Sequence, residues 1–195
     1  MRAFLREIWV ILLLAIVVFL VQQFIFPYYG IRQDCMLPNF EENQRVVVNK
    51  VIYKLNEPER GDVIIFHPPP PNSPKTTPFI KRIIALPGDI VEVKKGSVYV
   101  NGSQLHEPYI KEPPEYTFSQ YKIPEDNYFV LGDNRNNAND SHTGWMLPRQ
   151  NIIGKAWLSI WPPDRWGLVA HYPLQEQLVS STSKQLPLLG GEVHK

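Results

Sequence analysis

The feature that most constrains this chain is an uncharged, largely apolar stretch close to its N-terminus. Ile8 to Val21 are fourteen consecutive apolar residues, and the 22 residues of 8–29 carry no charge. A helix that crosses a bilayer needs about 20 such residues. Arg2 and Arg6 precede the stretch, so the positive-inside rule predicts a cytoplasmic N-terminus. We therefore predict a cytoplasmic segment over 1–7 and a transmembrane signal-anchor over 8–29.

A cleavable signal peptide is the competing interpretation of this stretch, because the apolar region of such a peptide is about 7–15 residues long. A signal peptide also ends in two small residues separated by one other residue. The sequence FIFPYYGIRQD, which comes directly after the apolar run and the two glutamines, contains no such site. Phe26, Tyr28 and Tyr29 are instead typical of the aromatic belt at a membrane interface. We favour an uncleaved anchor, which makes this a single-pass membrane protein whose remaining residues lie on the exported side.

Proline content indicates the architecture of the chain beyond the anchor. The chain of 195 residues contains 19 prolines and 11 glycines. Proline at about twice its usual share of roughly 5% excludes a helical bundle. It is tolerated in turns and at strand edges, so we predict a mainly antiparallel β-sheet domain over 30–173. Residues 68–78 are too rich in proline for regular structure, and the polar segment 174–195 is expected to be a flexible tail.

Composition also excludes several function classes. The single cysteine, Cys35, excludes an internal disulfide and a multi-cysteine metal cluster. The five histidines lack metal-ligand spacing, and no glycine-rich phosphate loop occurs in the sequence. Balanced charge, with 20 basic and 19 acidic residues, gives no electrostatic basis for nucleic-acid binding. We therefore expect no metal, no cofactor and no nucleic-acid partner.

Apolar and β-branched runs bounded by turn residues predict the strands of the exported domain. Arg45–Leu55 is expected to form one or two strands, and 106–127, with four prolines, an irregular excursion. Ile90–Val93 and Val98–Val100 flank Lys94-Lys95-Gly96 and predict a hairpin. Further strands are expected at Val63–Phe66, Phe79–Leu86, Tyr128–Leu131 and Ile152–Trp161.

Three segments are unusual for a generic β domain: 34–38, 79–89 and the dense polar loop 132–142. In the second segment, Lys81 and Arg82 are adjacent within an apolar strand and therefore point to opposite faces. One of them must face the interior unless the strand lies at an edge. A desolvated lysine can serve as the general base for a nucleophile, whereas at an edge it would extend past the strand to water. The residues alone leave both interpretations open.

Together these segments resemble the type I signal peptidases, which are membrane-anchored serine–lysine endopeptidases that remove signal peptides. The resemblance covers about residues 8–167. The anchor is followed by a Ser/Cys-Met-x-Pro element and three further motifs: Cys35-Met36-Leu37-Pro38, Gly61-Asp62-Val63-Ile64-Ile65-Phe66, the run from Ile80 to Asp89, and Gly132-Asp133-Asn134-Arg135. The stretch NRNNANDSH, with Leu147-Pro148 and 151–156 after it, is most similar to cyanobacterial and thylakoid-type members.

The resemblance implies a catalytic role for two residues. Cys35 occupies the nucleophile position, and its main-chain N–H would be one donor to the oxyanion. Lys81 would be the general base, kept neutral by burial. An ion pair between Asp133 and Arg82 would fix the strand against the polar loop. The scaffold residues implied in full are Arg82, Asp133, Asn134, Arg135 and Asp140.

The resemblance also implies the substrate and the location. Substrate would bind as an added β-strand, with the small side chains that precede the cleaved bond entering shallow apolar pockets. The residues at the lining positions are Ile31, Met36, Phe79 and Ile80. The implied partners are preproteins that carry signal peptides, together with the lipid bilayer. The catalytic domain would lie in the periplasm or the thylakoid lumen.

The chain departs from the family pattern at three positions near the chemistry. The family nucleophile is serine, whereas this chain has Cys35. Gln33 replaces a small, usually hydroxyl-bearing residue that helps to hold the oxyanion, and Ala138 replaces a serine that hydrogen-bonds the catalytic lysine. Two interpretations remain: an active peptidase, since a thiol is deprotonated more easily than a hydroxyl, or a catalytically impaired homologue that binds preproteins without cleaving them. A soluble, self-cleaving serine–lysine repressor is disfavoured by the anchor.

Overall fold

The computed structural model describes residues 2–69 and 77–174. It begins with helix α1, Arg2–Phe24. Within this helix, Arg6–Phe24 has a mean hydropathy of 2.3, and the rest of the chain does not bury it. Its length and composition therefore fit a membrane span. The helix ends earlier than the anchor predicted over 8–29.

Two predictions fall wholly or partly outside the described residues. The proline-rich segment predicted to be irregular extends into 70–76, and most of the tail predicted to be flexible is 175–195. The first residue assigned to that tail, Leu174, is described and lies fully buried in a hydrophobic cluster. The folded domain therefore extends at least to this residue.

Twelve strands occur in the described part of the chain, numbered in chain order. They are β1 Tyr28–Gly30, β2 Arg45–Asn49, β3 Val63–Phe66, β4 Phe79–Ala85, β5 Ile90–Lys94, β6 Ser97–Val100, β7 Ser103–Gln104, β8 Phe118–Lys122, β9 Asn127–Leu131, β10 Leu147–Pro148, β11 Ile152–Trp161 and β12 Gly167–Leu168. Tyr28 and Tyr29, predicted to belong to the interfacial end of the anchor, form the first of these strands.

These strands form two antiparallel sheets in the described residues. The larger sheet has the order β1-β2-β11-β3-β4-β9-β10, with β12 beside β11, and the smaller has the order β7-β6-β5-β8. The predicted hairpin is confirmed as β5–β6, in which Val91 lies opposite Val100. The mainly antiparallel β fold expected from the sequence is therefore confirmed.

Two segments differ from their predictions. After β2, the second half of Arg45–Leu55 forms a short helix, α2, Ile52–Leu55. The cause is Asn49, whose side-chain oxygen accepts hydrogen bonds from the backbone N–H groups of Val51 and Ile52 and turns the chain. The supposed irregular excursion 106–127 contains β8, which pairs with β5 at the edge of the smaller sheet.

Strand β4 lies inside the larger sheet, between β3 and β9. Its residues Ile80, Ile83 and Ile84 each belong to a different one of the three hydrophobic clusters of the described residues. Lys81 and Arg82 are consequently both fully buried. The interpretation in which the lysine reaches water past an edge strand is wrong, because packing covers this strand on every side.

Candidate active site

The candidate nucleophile lies on a short 3-10 helix, Asp34–Met36, which we call the nucleophile turn. This turn follows β1, and both Cys35 and Met36 are buried within it. The residue that precedes it, Gln33, is exposed and makes no capping hydrogen bond with its side chain. The turn is therefore not held from its own N-terminal side, and its support must come from the residues packed against it.

Lys81 and Cys35 lie in direct contact. Lys81 Nζ donates a hydrogen bond to Cys35 Sγ at 2.9 Å and another to the Ile80 carbonyl at 3.0 Å. The Cys35 thiol lies 3.8 Å from the same carbonyl oxygen, and its residue is 3% exposed. The Phe79 ring centroid is 5.2 Å from Nζ. Two residues 46 positions apart in the sequence thus form a contact that is buried from solvent.

Arg82, the next residue on β4, turns to the opposite face and pairs with Asp133. Its Nε and Nη2 donate to the two carboxylate oxygens at 2.9 and 2.8 Å, and both side chains are fully buried. Its Nη1 donates to the Gly61 carbonyl at 2.8 Å and to the Ala170 carbonyl at 3.2 Å. The guanidinium also lies 4.3 Å from the centroid of the Tyr109 ring. The structure contains the ion pair that the resemblance implied, with its polar atoms hydrogen-bonded.

Asn134 connects the polar loop 132–142 to the nucleophile turn. Its backbone N–H donates to the Cys35 carbonyl and its side-chain Nδ2 donates to the Asp34 carbonyl, each at 3.0 Å. Gly132 lies against the same turn, since a Cβ placed on it would overlap the Cys35 carbonyl oxygen. Absence of a side chain at this glycine is therefore required for the loop to reach the turn.

Asp140 and Arg135 support the polar loop from within. Asp140 is fully buried, and its carboxylate accepts the Gly132 N–H at 2.8 Å and contacts His142 Nδ1 at 2.6 Å. Arg135 Nε donates to the Gly132 carbonyl at 3.0 Å, and its other nitrogens donate to Glu107. The backbone N–H and the carbonyl of Gly132 are thus both hydrogen-bonded to charged side chains. These bonds fix the part of the loop that meets the nucleophile turn.

An apolar groove of about 250 Å³ opens beside the Cys35–Lys81 pair. Its lining residues, which define it, are Tyr28, Tyr29, Gly30, Ile31, Arg32, Gln33, Cys35, Ile65, Thr77, Pro78, Phe79 and Ile80. Ile31, Phe79 and Ile80, expected to line substrate pockets, are all present. Met36 is not among the lining residues, because its fully buried side chain belongs to the hydrophobic cluster beneath. Ala138 packs against that same cluster and does not line the groove.

Comparison with known proteins gives the family of this chain. Residues 4–161 match the family model described as signal peptidase, peptidase S26. The chain belongs to the signal peptidase family. A probable signal peptidase I-1 of Synechocystis sp. is 45% identical to it over 175 residues, which cover 87% of this chain and 89% of that relative. The family predicted from the three sequence segments is therefore confirmed.

Further proteins similar to this chain come from bacteria and from a plant. A signal peptidase I of Leptolyngbya laminosa is 48% identical over 141 residues, covering 70% of each chain. A probable thylakoidal processing peptidase 2 of Arabidopsis thaliana is 40% identical over 147 residues, covering 73% of this chain and 40% of that relative. A crystal structure of a signal peptidase I from Enterococcus faecalis is 30% identical, with a TM-score of 0.43, over 51% of this chain and 97% of that chain.

Sequence reasoning missed several residues that hold the site of this signal peptidase together. Asn39 Nδ2 donates to Asp133 at 2.8 Å and to the Tyr109 carbonyl at 2.7 Å. Glu107 lies in a segment that was predicted to be irregular, yet it accepts both terminal nitrogens of Arg135. The sequence separations between these residues and their partners follow neither a helix period nor a strand period, so no sequence pattern indicates these contacts. A buried arginine that needs an acidic partner was the available hint for Glu107.

A second cluster of titratable groups, around Asp62, was also missed. Asp62 is 3% exposed, and its carboxylate contacts Lys155 Nζ at 2.5 Å, Tyr53 Oη at 2.7 Å and His171 Nδ1 at 3.7 Å. His171 accepts the Val63 N–H at 3.2 Å through Nδ1. Burial, and then the charge of Lys155, lower the pKa of His171 to about 4, against the opposing effect of Asp62. This histidine is therefore neutral in the folded protein near neutral pH.

Proposed function

We propose that this member of the signal peptidase family removes N-terminal signal peptides from exported preproteins by a Cys35–Lys81 dyad. The observation that carries the proposal is the 2.9 Å contact between Lys81 Nζ and Cys35 Sγ. A nucleophile and a base within hydrogen-bond distance are the minimum requirement for covalent catalysis of this kind. Cys35 lines an apolar groove, where an extended peptide can reach its thiol, and the buried Lys81 contacts that thiol.

Hydrogen-bond counting supports Lys81 as the general base. A lysine ammonium has three N–H donors. Among the described residues, Lys81 donates to Cys35 Sγ and to the Ile80 carbonyl, and no carboxylate forms an ion pair with it. A third donor would be left buried without an acceptor, which costs about 1–3 kcal/mol. The site therefore suits an amine that is ready to accept the thiol proton.

The proposed reaction begins when Cys35 Sγ attacks the carbonyl carbon of the peptide bond and its proton passes to Lys81 Nζ. The electron pair of the carbonyl moves to the oxygen, and the main-chain N–H of Cys35 stabilises the resulting oxyanion. The C–N bond then breaks as Lys81 gives its proton to the leaving amine. A water molecule, deprotonated by Lys81, hydrolyses the thioester, and the proton returns to the thiolate.

The groove suits an extended substrate with small side chains. One wall comes from β1 and the residues just after it, and the opposite wall from the start of β4, with Ile31, Phe79 and Ile80 as apolar surface. Side chains at the first and third positions before the cleaved bond would face this surface. The exposed amide of Gln33, at the rim, would add a second donor to the oxyanion from a longer side chain than serine has.

The proposed topology places the N-terminus in the cytoplasm and the β domain on the exported side. It rests on the apolar helix over Arg6–Phe24 and on the basic residues at its start, Arg2 and Arg6. The exported compartment would be the periplasm or the thylakoid lumen. Preproteins enter the bilayer through their own apolar segments, so enzyme and substrate would meet at its surface.

The test is cleavage of a model preprotein by the wild type, Cys35→Ser and Cys35→Ala, all purified as full chains in detergent. We expect cleavage by the wild type, its loss in Cys35→Ala, and its retention in Cys35→Ser. Treatment of the wild type with a thiol-alkylating reagent should abolish cleavage and leave Cys35→Ser unaffected. Equal processing by the wild type and Cys35→Ala would contradict the proposal.

A second candidate function is binding of preproteins without cleavage. It is favoured by Ala138, whose methyl group packs against the Cys35 cluster at a loop position where the family resemblance implies a hydroxyl. That substitution leaves Lys81 with two hydrogen-bond acceptors among the described residues. A non-cleaving homologue should bind a preprotein equally well with Lys81 or with Lys81→Ala. Cleavage that disappears in Lys81→Ala would exclude this candidate.

A further inference from the structure

The main-chain N–H of Cys35 is not committed to the fold. Among the described residues no hydrogen bond from this group is present, although the Cys35 carbonyl and the Asp34 carbonyl are both occupied. An unoccupied N–H next to the candidate nucleophile is the group that would bind the oxyanion. Its direction is therefore a property that the enzyme must control.

Asn134 controls that direction through the peptide bond. The Asp34–Cys35 peptide is trans, and in a planar trans peptide the C=O and N–H bonds point in opposite directions. Asn134 Nδ2 holds the Asp34 carbonyl toward the polar loop at 3.0 Å. The Cys35 N–H must then point away from the loop, to the side on which no described residue accepts it.

The rest of the nucleophile turn cannot supply this control by itself. The Asp34 carbonyl otherwise accepts a longer bond, at 3.3 Å, from the Leu37 N–H. The side chain of Gln33 does not cap the turn. The backbone N–H of Asn134 fixes the Cys35 carbonyl, which belongs to the following peptide. Of the two Asn134 groups, the side chain is the one that acts on the Asp34–Cys35 peptide, and its bond is shorter than the one from the Leu37 N–H.

We propose that Asn134 is a positioning residue for catalysis, whose side-chain amide orients the Asp34–Cys35 peptide so that the Cys35 N–H faces the oxyanion. This inference rests on the proposed function and adds to it. The residue is 6% exposed and is held by its neighbour Asp133, which pairs with Arg82 beside Lys81. The base and the oxyanion donor are thus positioned by two consecutive residues of one loop.

The test compares Asn134→Asp and Asn134→Ala with the wild type. Asn134→Asp keeps the shape and replaces the donor by a carboxylate oxygen, whereas Asn134→Ala removes the contact; both keep the backbone bond. We expect kcat to fall between about 10- and 100-fold with KM unchanged, short of the roughly 10²–10³-fold cost of removing an oxyanion donor. The matched control is Asn136→Ala, which loses side-chain bonds to Pro113 and Glu115 from the same loop and should keep the wild-type kcat.

A second measurement separates positioning from a structural role. Alkylation of Cys35 by iodoacetamide displaces iodide without forming an oxyanion, so its rate should be unchanged in both Asn134 variants. A peptide aldehyde forms a hemithioacetal with Cys35: the S–C bond forms, and the thiol proton moves to the former carbonyl oxygen. This adduct needs the oxyanion donor, so its dissociation constant should rise by at least about 10-fold in the variants.

Each outcome of these measurements either supports the positioning role of Asn134 or overturns it. Parallel losses of alkylation rate and kcat, or a lowered Tm that accounts for the loss, would show that Asn134 is merely structural. Unchanged kcat and unchanged aldehyde affinity would overturn the proposal as well. A wild type that captures the aldehyde without cleaving preprotein would contradict the proposed function, while the Asn134 variants would still test the positioning role. A wild type that does neither overturns both.

Discussion

Arg82 and Asp133 form a two-bond ion pair in which both side chains are completely buried. The pair lies one residue along the chain from Lys81 on one side and one residue from Asn134 on the other. These two neighbours contact the nucleophile turn, Lys81 through Cys35 Sγ and Asn134 through two carbonyl oxygens. The ion pair therefore closes a ring of contacts that sets the distance between thiol and amine.

Replacement of one partner, as in Asp133→Asn, should lower the free energy of unfolding by about 3–5 kcal/mol, because the Arg82 charge is left buried without compensation. Urea unfolding of the detergent-solubilised chain measures it. Glu57→Gln is the matched control, since Glu57 pairs with Arg149 but is 79% exposed in its side chain, and an exposed pair contributes about 0–1 kcal/mol. Equal effects of the two substitutions would contradict this account of the buried pair.

Lys81→Met should abolish cleavage without unfolding the domain. Burial of an amine with two acceptors is costly, and a methionine of similar length removes that cost, so Tm should be equal to or higher than in the wild type. Thermal unfolding and a preprotein cleavage assay on the same preparation measure the two effects. Lys94→Met changes an exposed lysine that pairs with Glu92 and should alter neither quantity. A large fall in Tm on substitution of Lys81 would instead indicate a structural lysine.

Gly132→Ala should destabilise the fold and remove activity together. The added Cβ would overlap the Cys35 carbonyl oxygen and lie 2.7 Å from the Ala138 Cβ, so the nucleophile turn must shift. Overpacking of this kind typically costs about 1–3 kcal/mol. Gly30→Ala, where a Cβ meets nothing within 4 Å, is the control for stability. If both variants unfold at the same urea concentration, the close approach of loop and turn is not as tight as described.

The free energy of unfolding should decrease as the pH is lowered from neutral to acidic values because of His171. Its pKa is lowered from 6.5 to about 4 by burial and by Lys155, with Asp62 opposing. Between these pH values the unfolded chain binds a proton that the folded chain does not. The contribution of His171 to the free energy of unfolding is therefore fully present above about pH 6.5 and declines as the pH falls toward about 4. The loss attributable to this group is up to about 3 kcal/mol.

The measurement is urea unfolding at several pH values for the wild type and His171→Gln, which cannot titrate. Gln keeps an N–H that can donate to the Ala156 carbonyl, which His171 Nε2 contacts at 3.0 Å. Only the wild type should lose the contribution of His171 as the pH is lowered. The free energy of unfolding of the wild type minus that of His171→Gln should therefore decrease. A difference that stays constant between pH 7 and pH 5 would show that His171 is not the group responsible.

The sequence predicted the sheet strands best where apolar runs are bounded by turn residues, as at β3, β4 and the β5–β6 hairpin. It missed α2, because Ile52 and Tyr53 are typical of strands. The chain turns there because the Asn49 side-chain oxygen accepts hydrogen bonds from two backbone N–H groups that follow it. It missed β8 because an edge strand with most residues exposed carries no apolar pattern.

The residues at the centre of the site could be predicted from the sequence, but neither their contacts nor the supporting residues Asn39 and Glu107 could. The alternation of a strand separates Lys81 from Arg82, and this alone limits what each can contact. The partners of Asn134 lie about 100 residues earlier in the chain, and Met36 turns inward although its motif position suggested a pocket. Such contacts depend on how two loops pack, which residue periodicity does not encode.

The connection between α1 and the groove is three residues long, since the helix ends at Phe24 and β1 begins at Tyr28. Within it, the carbonyls of Ile25 and Pro27 accept hydrogen bonds from backbone N–H groups of β2 and of the residue after β2. A connector this short and this firmly bonded gives the domain no slack to rise or sink relative to the end of its helix. The Cys35–Lys81 pair therefore keeps one distance from the end of α1. Under the proposed function, a preprotein would have to bring its cleavage site to that distance by the length of its own chain.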